Sequence, residues 1–392
     1  MMKRQEGLFN FEFIALNAIT FFTYCNIAVF FQFHHYLETL PIPSEWNGFL
    51  IASFSFAALV VRPIVSPFIT SRNSKRWMFI SCCLLVGSLT LYDFSTDFWS
   101  MTITRLIHGA TYVVMGTAVI SRIVAIIPKD RSSQAFGLLS VVSLLPYALV
   151  PPLLQPLSDY FGGFNGALNI SALVMLINLP IMALLKDPEG AVSQKEDHFS
   201  VREIVSNLRD PQIGSLLLIN MVVWTCFTTI FFFIKGFGDR IDIPNPGWFL
   251  TISTVTEMAV RVLAGNFFDR VNKKLLLQLS LLWLAVSYFL MGIVTGPTTF
   301  YALGLLLGLG WGVVLPVING FLFDVSEPRF RALNANLAAE MFQAGFTLGP
   351  FLGGMILISY GYIPLFLVSG LVSLLGLPLT LRSTKGSEPI GH

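Results

Sequence analysis

Residues 298–322 read TTFYALGLLLGLGWGVVLPVINGFL, 25 residues without a single charge. A helix rises about 1.5 Å per residue and a bilayer core is about 30 Å thick, so about 20 apolar residues cross it. The glycines from Gly304 to Gly312 mimic a nucleotide-binding loop, but no strand precedes them. Inside an apolar helix, small residues serve close packing instead. The stretch reads as a membrane span.

The rest of the chain agrees. Of 392 residues, 54% are hydrophobic and only 12% charged, with a mean hydropathy of +0.72. Soluble domains carry about a quarter charged residues, so a water-soluble enzyme and a disordered chain are both excluded. With 24 Lys and Arg against 22 Asp and Glu, the net charge of +2 is too balanced for a nucleic-acid binder. Cys25, Cys82, Cys83 and Cys226 lie in apolar runs with neither metal-ligand nor disulfide spacing. His34 and His35 are adjacent, and neighbours on a helix point about 100° apart, which makes them a poor metal pair. No P-loop, zinc-protease signature or nucleophile–base set is present, so no enzymatic activity, metal or cofactor is expected.

Similar apolar runs begin near Phe9, Trp46, Trp77, Trp99, Ser133, Phe164, Gln212, Gly247, Leu275, Thr298, Arg331 and Tyr362. The expected fold is therefore an all-α membrane protein of twelve spans. The first run, Phe9 to Phe33, is too long for a signal-peptide core and no small-residue cleavage site follows it. With the N-terminus inside, nearly all loop Lys and Arg fall on the cytoplasmic side. The outer loops hold only Lys235 and Arg240, which puts both termini in the cytoplasm.

From Lys186 the composition turns polar. The expected organisation is an N-terminal six-helix bundle (1–185), a cytoplasmic linker (186–211) in which 200–209 form a short surface helix, and a C-terminal bundle (212–392). The halves echo each other at an offset of 199 residues: Arg62 with Arg261, Gly109 with Gly308, Pro151 with Pro350, while Arg105 falls on Gly304. Such an echo marks a duplicated six-span unit.

After span 8 comes Gly265-Asn266-Phe267-Phe268-Asp269-Arg270-Val271-Asn272-Lys273-Lys274. It resembles the loop motif of the major facilitator superfamily, Gly-x-x-x-Asp-Arg-x-Gly-Arg-Arg, without its second glycine. Arg105-Leu106-Ile107-His108-Gly109 looks like that family's span-4 motif. Gly345-x-x-x-Gly349-Pro350-x-x-Gly353-Gly354 is similar to its Gly-Pro packing motif. The resemblance implies a monomeric twelve-helix transporter in the inner (cytoplasmic) membrane, with two pseudo-symmetric halves that rock about a central cavity. The first-half loop from Ser66 to Arg76 lacks the Asp, and span 5 carries Pro146 and Pro151-Pro152 in place of the Gly-Pro motif. Both depart from the drug–proton antiporter pattern.

Glu257 falls mid-span, where a carboxylate costs at least about 2.5 kcal/mol and normally faces protein or water. It is a candidate proton carrier, with a static pair to Arg261 one turn on as the alternative. Arg105 and His108 complete the coupling candidates, Arg105 either binding an anionic group or snorkelling to the interface. Arg62 and Glu340 are a candidate cytoplasmic latch, beside the loop residues Gly265, Asp269 and Arg270 with Arg261. Helical stripes mark the cavity walls: Asn17, Thr20, Tyr24, Phe31 and His35 in span 1, Tyr112 in span 4, Asn220, Trp224, Thr228, Phe231 and Lys235 in span 7, and Trp311 and Asn319 in span 10.

The expected function is alternating-access, proton-coupled export of a small, partly apolar compound, with protons, the substrate and the bilayer as partners. Proton-linked uptake of a metabolite or sugar, and a non-transporting membrane sensor or scaffold, are the alternatives.

Overall fold

The computed structural model of the chain describes residues 9–127, 132–186, 200–268 and 271–381, all helix and connections, with no strand among them. The long helices are α1 (Phe11–Glu38), α2 (Asn47–Val65), α3 (Ser74–Thr90), α4 (Phe98–Ile126), α5 (Ser132–Tyr160) and α6 (Gly163–Leu184). They continue with α7 (Pro211–Arg240), α8 (Gly247–Phe268), α9 (Lys273–Leu290), α10 (Pro297–Val325), α11 (Arg331–Tyr360) and α12 (Tyr362–Leu381). Among the described residues, eleven are long and apolar enough to cross a membrane. The exception is α8, of spanning length at 22 residues, whose hydropathy Glu257 and Arg261 depress.

Each start lies within three residues of its sequence expectation, because local chemistry writes it. Asn10 caps α1 by accepting from the Phe13 amide at 2.8 Å. Asp97 accepts from Trp99 N (2.9 Å) and Ser100 N (3.2 Å) in a capping box. Asp210 accepts from Gln212 N at 2.8 Å with Pro211 at the first helical position. Such caps satisfy amides that have no intrahelical partner. Asn272, standing where the family loop has its second glycine, caps α9 through Lys274 N and Leu275 N at 3.0 and 3.2 Å, so the departure has a structural use. The proline-rich α5, with Pro146, Pro151, Pro152 and Pro156, stays helical, as membrane helices with packed neighbours can.

Contacts divide the chain into two compact units, Met1–Ile42 with Ser53–Ser193, and Pro43–Ala52 with Gln194–His392. The duplication is visible in how each unit packs. A Cβ on Gly109 of α4 would lie 2.0 Å from the Phe54 carbonyl oxygen of α2, and one on Gly308 of α10 would lie 2.3 Å from the Ser253 oxygen of α8. Both partners of this crossing are displaced by the same 199 residues.

The short helix Val201–Leu208 forms where the linker is expected to turn helical. Asn207 donates to Asn334 at 2.6 Å, and Asn334 donates to Ser326 at 2.8 Å, tying that helix to the start of α11. In the first unit, Lys75 donates to the Leu185 carbonyl at 2.5 Å and Arg122 to the Lys186 carbonyl at 2.5 Å. Two cations thus grip the C-terminal end of α6, where the helix dipole is negative.

Two sequence expectations are corrected. Lys235 and Arg240 are not in a loop: α7 runs through both, and Lys235 is 6% exposed with its ammonium 2.6 Å from Asp239. The aromatic run Phe231–Phe233 carries the helix onward through the pair. His35 leaves the α1 stripe and is exposed while His34 is buried. A 3-10 turn at Val29–Gln32 advances each residue by about 120° instead of 100°, rotating everything beyond it.

Candidate functional site

In the first unit, the candidate residues of α4 meet a polar chain inside an aromatic shell. Arg105 lies two turns into the helix at 1% exposure. Its guanidinium carbon sits 5.0 Å from the Phe30 ring, 4.5 Å from Phe33 and 5.0 Å from Phe54, a cation–π enclosure. It donates to the Tyr92 hydroxyl at 3.4 Å. That hydroxyl is 3.0 Å from His108 Nδ1, and Asn26 Nδ2 is 3.3 Å from His108 Nε2. Both ring nitrogens of His108 are therefore engaged. Tyr92 and Asn26 give no sequence signal, because three separate helices bring them together.

Along the same face, Tyr112 meets Tyr24 of α1 (6.3 Å between ring centroids) and Phe54 of α2 (5.3 Å), and Tyr24 meets Tyr147 of α5 (6.2 Å). Asn17 spends its amide donor on the Phe13 carbonyl of its own helix at 2.8 Å. At the end of α4, Arg122 donates to Glu12 of α1 at 3.0 Å.

In the second unit, Glu257 sits at 1% exposure on α8. The Arg261 guanidinium donates to its carboxylate, so the pair named as the alternative is formed. At the repeat offset Glu257 falls on Ala58, which is fully buried. Arg105 in turn falls on Gly304. Each unit thus keeps one buried charge that the other replaces with a small residue.

Trp224 of α7 packs on Phe342 of α11 at 4.6 Å and on Phe227 at 5.3 Å. Phe227 meets Trp311 of α10 at 4.7 Å. Asn220 donates to the Ala338 carbonyl at 3.3 Å, which answers the need of a buried amide for a partner. The Gly-Pro motif of α11 packs on α7, where a Cβ on Gly349 would lie 2.6 Å from the Thr225 carbonyl oxygen. Gln343, missed from sequence, is buried at 1% with no hydrogen-bond partner for its Nε2 among the described residues.

Not every candidate joins these groups. Asn319 is exposed, eight residues and about 80° round the helix from the buried Trp311. Arg62 on α2, half-buried in the first unit, lies near enough to Tyr112 to interact with it electrostatically, and Glu340 on α11 is half-buried in the second unit. Gly265 lies in the last turn of α8, while Asp269 and Arg270 fall outside the described residues.

The Major Facilitator Superfamily profile matches residues 13–244 and 239–390. The chain belongs to the major facilitator superfamily. It is a multi-pass membrane transporter of small molecules, not an enzyme. The multidrug resistance protein MdtG of Escherichia fergusonii is 24% identical over 369 residues, 89% of this chain and 88% of that protein. Multidrug resistance protein 2 of Bacillus subtilis is 18% identical over 363 residues, 88% of each. Among solved structures, a mutant form of the nucleoside transporter NupG superposes with a TM-score of 0.80 at 14% identity, over 96% of this chain and all of that one. The human organic anion transporter MFSD10 gives 0.63 at 14% identity, over 94% and 97%. These likenesses carry the fold.

Proposed function

We propose that this transporter exports small, partly apolar organic compounds in exchange for protons, exposing its site alternately to the two sides of the inner membrane. Twelve spans and two cytoplasmic termini belong to the same proposal, with the chain acting as a monomer. The multidrug resistance relatives support export.

Glu257 carries the proton reading. It lies ten residues into a 22-residue helix, buried at 1%, and its cation Arg261 rides one turn away on the same helix. A carboxylate at such depth is costly and marks ion pathways. Protonating Glu257 frees the Arg261 guanidinium for another acceptor without moving a helix, so proton and substrate compete through one local exchange. Arg105 and His108 form the second coupling group. Asn17, Tyr24 and Tyr112 line the substrate path in the first unit, as do Asn220, Trp224 and Trp311 in the second.

Inside-out vesicles with an acidic lumen test this. They should accumulate ethidium, and Glu257→Gln should abolish accumulation while leaving expression intact. Accumulation indifferent to the pH gradient, or a variant that behaves as wild type, overturns the proton role. Outward movement of ethidium would replace export by uptake.

A further inference from the structure

Two trios of aromatic rings stand at matching places in the two units. Tyr24 faces Tyr112 at 6.3 Å and Tyr147 at 6.2 Å. Phe227 faces Trp311 at 4.7 Å and Phe346 at 6.2 Å. Tyr112 and Trp311 are 199 residues apart, as are Tyr147 and Phe346. Tyr24 and Phe227 are 203 apart, the same separation as Asn17 and Asn220. Tyr112 and Trp311 are each the fifteenth residue of a 29-residue helix, so both trios lie near mid-membrane.

The second unit serves as an internal control for the first. There Phe227 and Phe346 complete the helix packing with bare rings, so packing at these positions needs no hydroxyl. The first unit nonetheless carries three, at a depth where a hydroxyl is expensive unless hydrogen-bonded. The same contrast extends one turn along α5, where Ser143 occupies the position equivalent to Phe342. Tyr112 and Tyr147 are 8% and 7% exposed, whereas Tyr24 is half-buried and reaches the surface of its unit.

We infer that Tyr24, Tyr112 and Tyr147 form a hydrogen-bonding substrate subsite within the first unit, which takes the polar group of a flat aromatic compound. This rests on the transport reading above. The half-exposed ring of Tyr24 offers an edge for stacking, and hydroxyls that both donate and accept suit a phenol, amide or carbonyl on the ligand.

Titration calorimetry on the purified full-length protein tests the inference with two probes, 1-methylquinolinium and its 8-hydroxy counterpart. Wild type should bind the hydroxylated probe more tightly, by about threefold to tenfold for one net hydrogen bond. Combined Tyr24→Phe, Tyr112→Phe and Tyr147→Phe changes should erase that preference while retaining affinity for 1-methylquinolinium. Tyr24→Phe alone, at the half-exposed position, should reduce it and guards against misfolding of the triple variant. An unchanged preference in the triple variant, or none in wild type, overturns the subsite. If neither probe binds while ethidium export stands, the ligand class is wrong and the transport reading survives.

Discussion

Gly109 meets the Phe54 carbonyl so closely that a Cβ there would lie 2.0 Å from its oxygen, and the duplicate Gly308 meets Ser253 in the same way. The obstacle is backbone, which cannot swing aside as a flexible side chain does. Gly109→Ala and Gly308→Ala should therefore each cost about 1–3 kcal/mol of overpacking. Melting of the detergent-solubilised protein measures this. Gly87→Ala, with nothing within 4 Å of the added Cβ, is the control and should leave the melting temperature near wild type.

The Glu257–Arg261 pair makes a prediction separate from transport. Arg261→Gln alone leaves a buried carboxylate without its cation. One-sided loss of a buried pair costs about 3–5 kcal/mol, and the low end applies because the Arg261 side chain is 19% exposed. Glu257→Gln combined with Arg261→Gln should recover most of that loss while remaining uncoupled from protons. Chemical denaturation of the two variants against wild type checks it; equal destabilisation by the single and double changes would refute it.

At the C-terminal end of α4, Arg122 bonds Glu12 at 3.0 Å and the Lys186 carbonyl at 2.5 Å from one nitrogen. Arg122→Gln should destabilise the protein more than Glu12→Gln, since it also removes the donor to α6. A double-mutant cycle should return a coupling of about 0.5–3 kcal/mol between them. A coupling near zero would mean that the pair contributes nothing to stability.

The linker helix should respond to acid. Ser200 donates to Glu203 from its amide at 2.9 Å and its hydroxyl at 2.8 Å, which holds this exposed carboxyl below the usual glutamate value of 4.5. A depressed folded-state value means that the contribution is present in full above about pH 4.5 and is lost as pH falls through the lower folded value. Amide exchange in Val201–Leu208 should therefore accelerate as pH drops below 4.5, after correction for intrinsic rates. Glu203→Gln should flatten that dependence.

The limits of the sequence show in particular residues. Tyr147 and Phe346 are both legible as partners through the 199-residue offset, yet neither stands out from 36 Phe and 10 Tyr until ring contacts single them out. Asn26 and Tyr92 carry no pattern at all.

What the sequence determined by itself was the set of helices, their starts and the duplication. Hydrophobic run length, caps and turns are local, and each is written within a few residues of where it acts. The tertiary structure alone decided which polar groups meet across helices: Arg105 inside three rings and His108 between Asn26 and Tyr92. Those encounters depend on how helices cross and on a single 3-10 turn in α1. A change of a few tens of degrees there exchanges a buried partner for an exposed one.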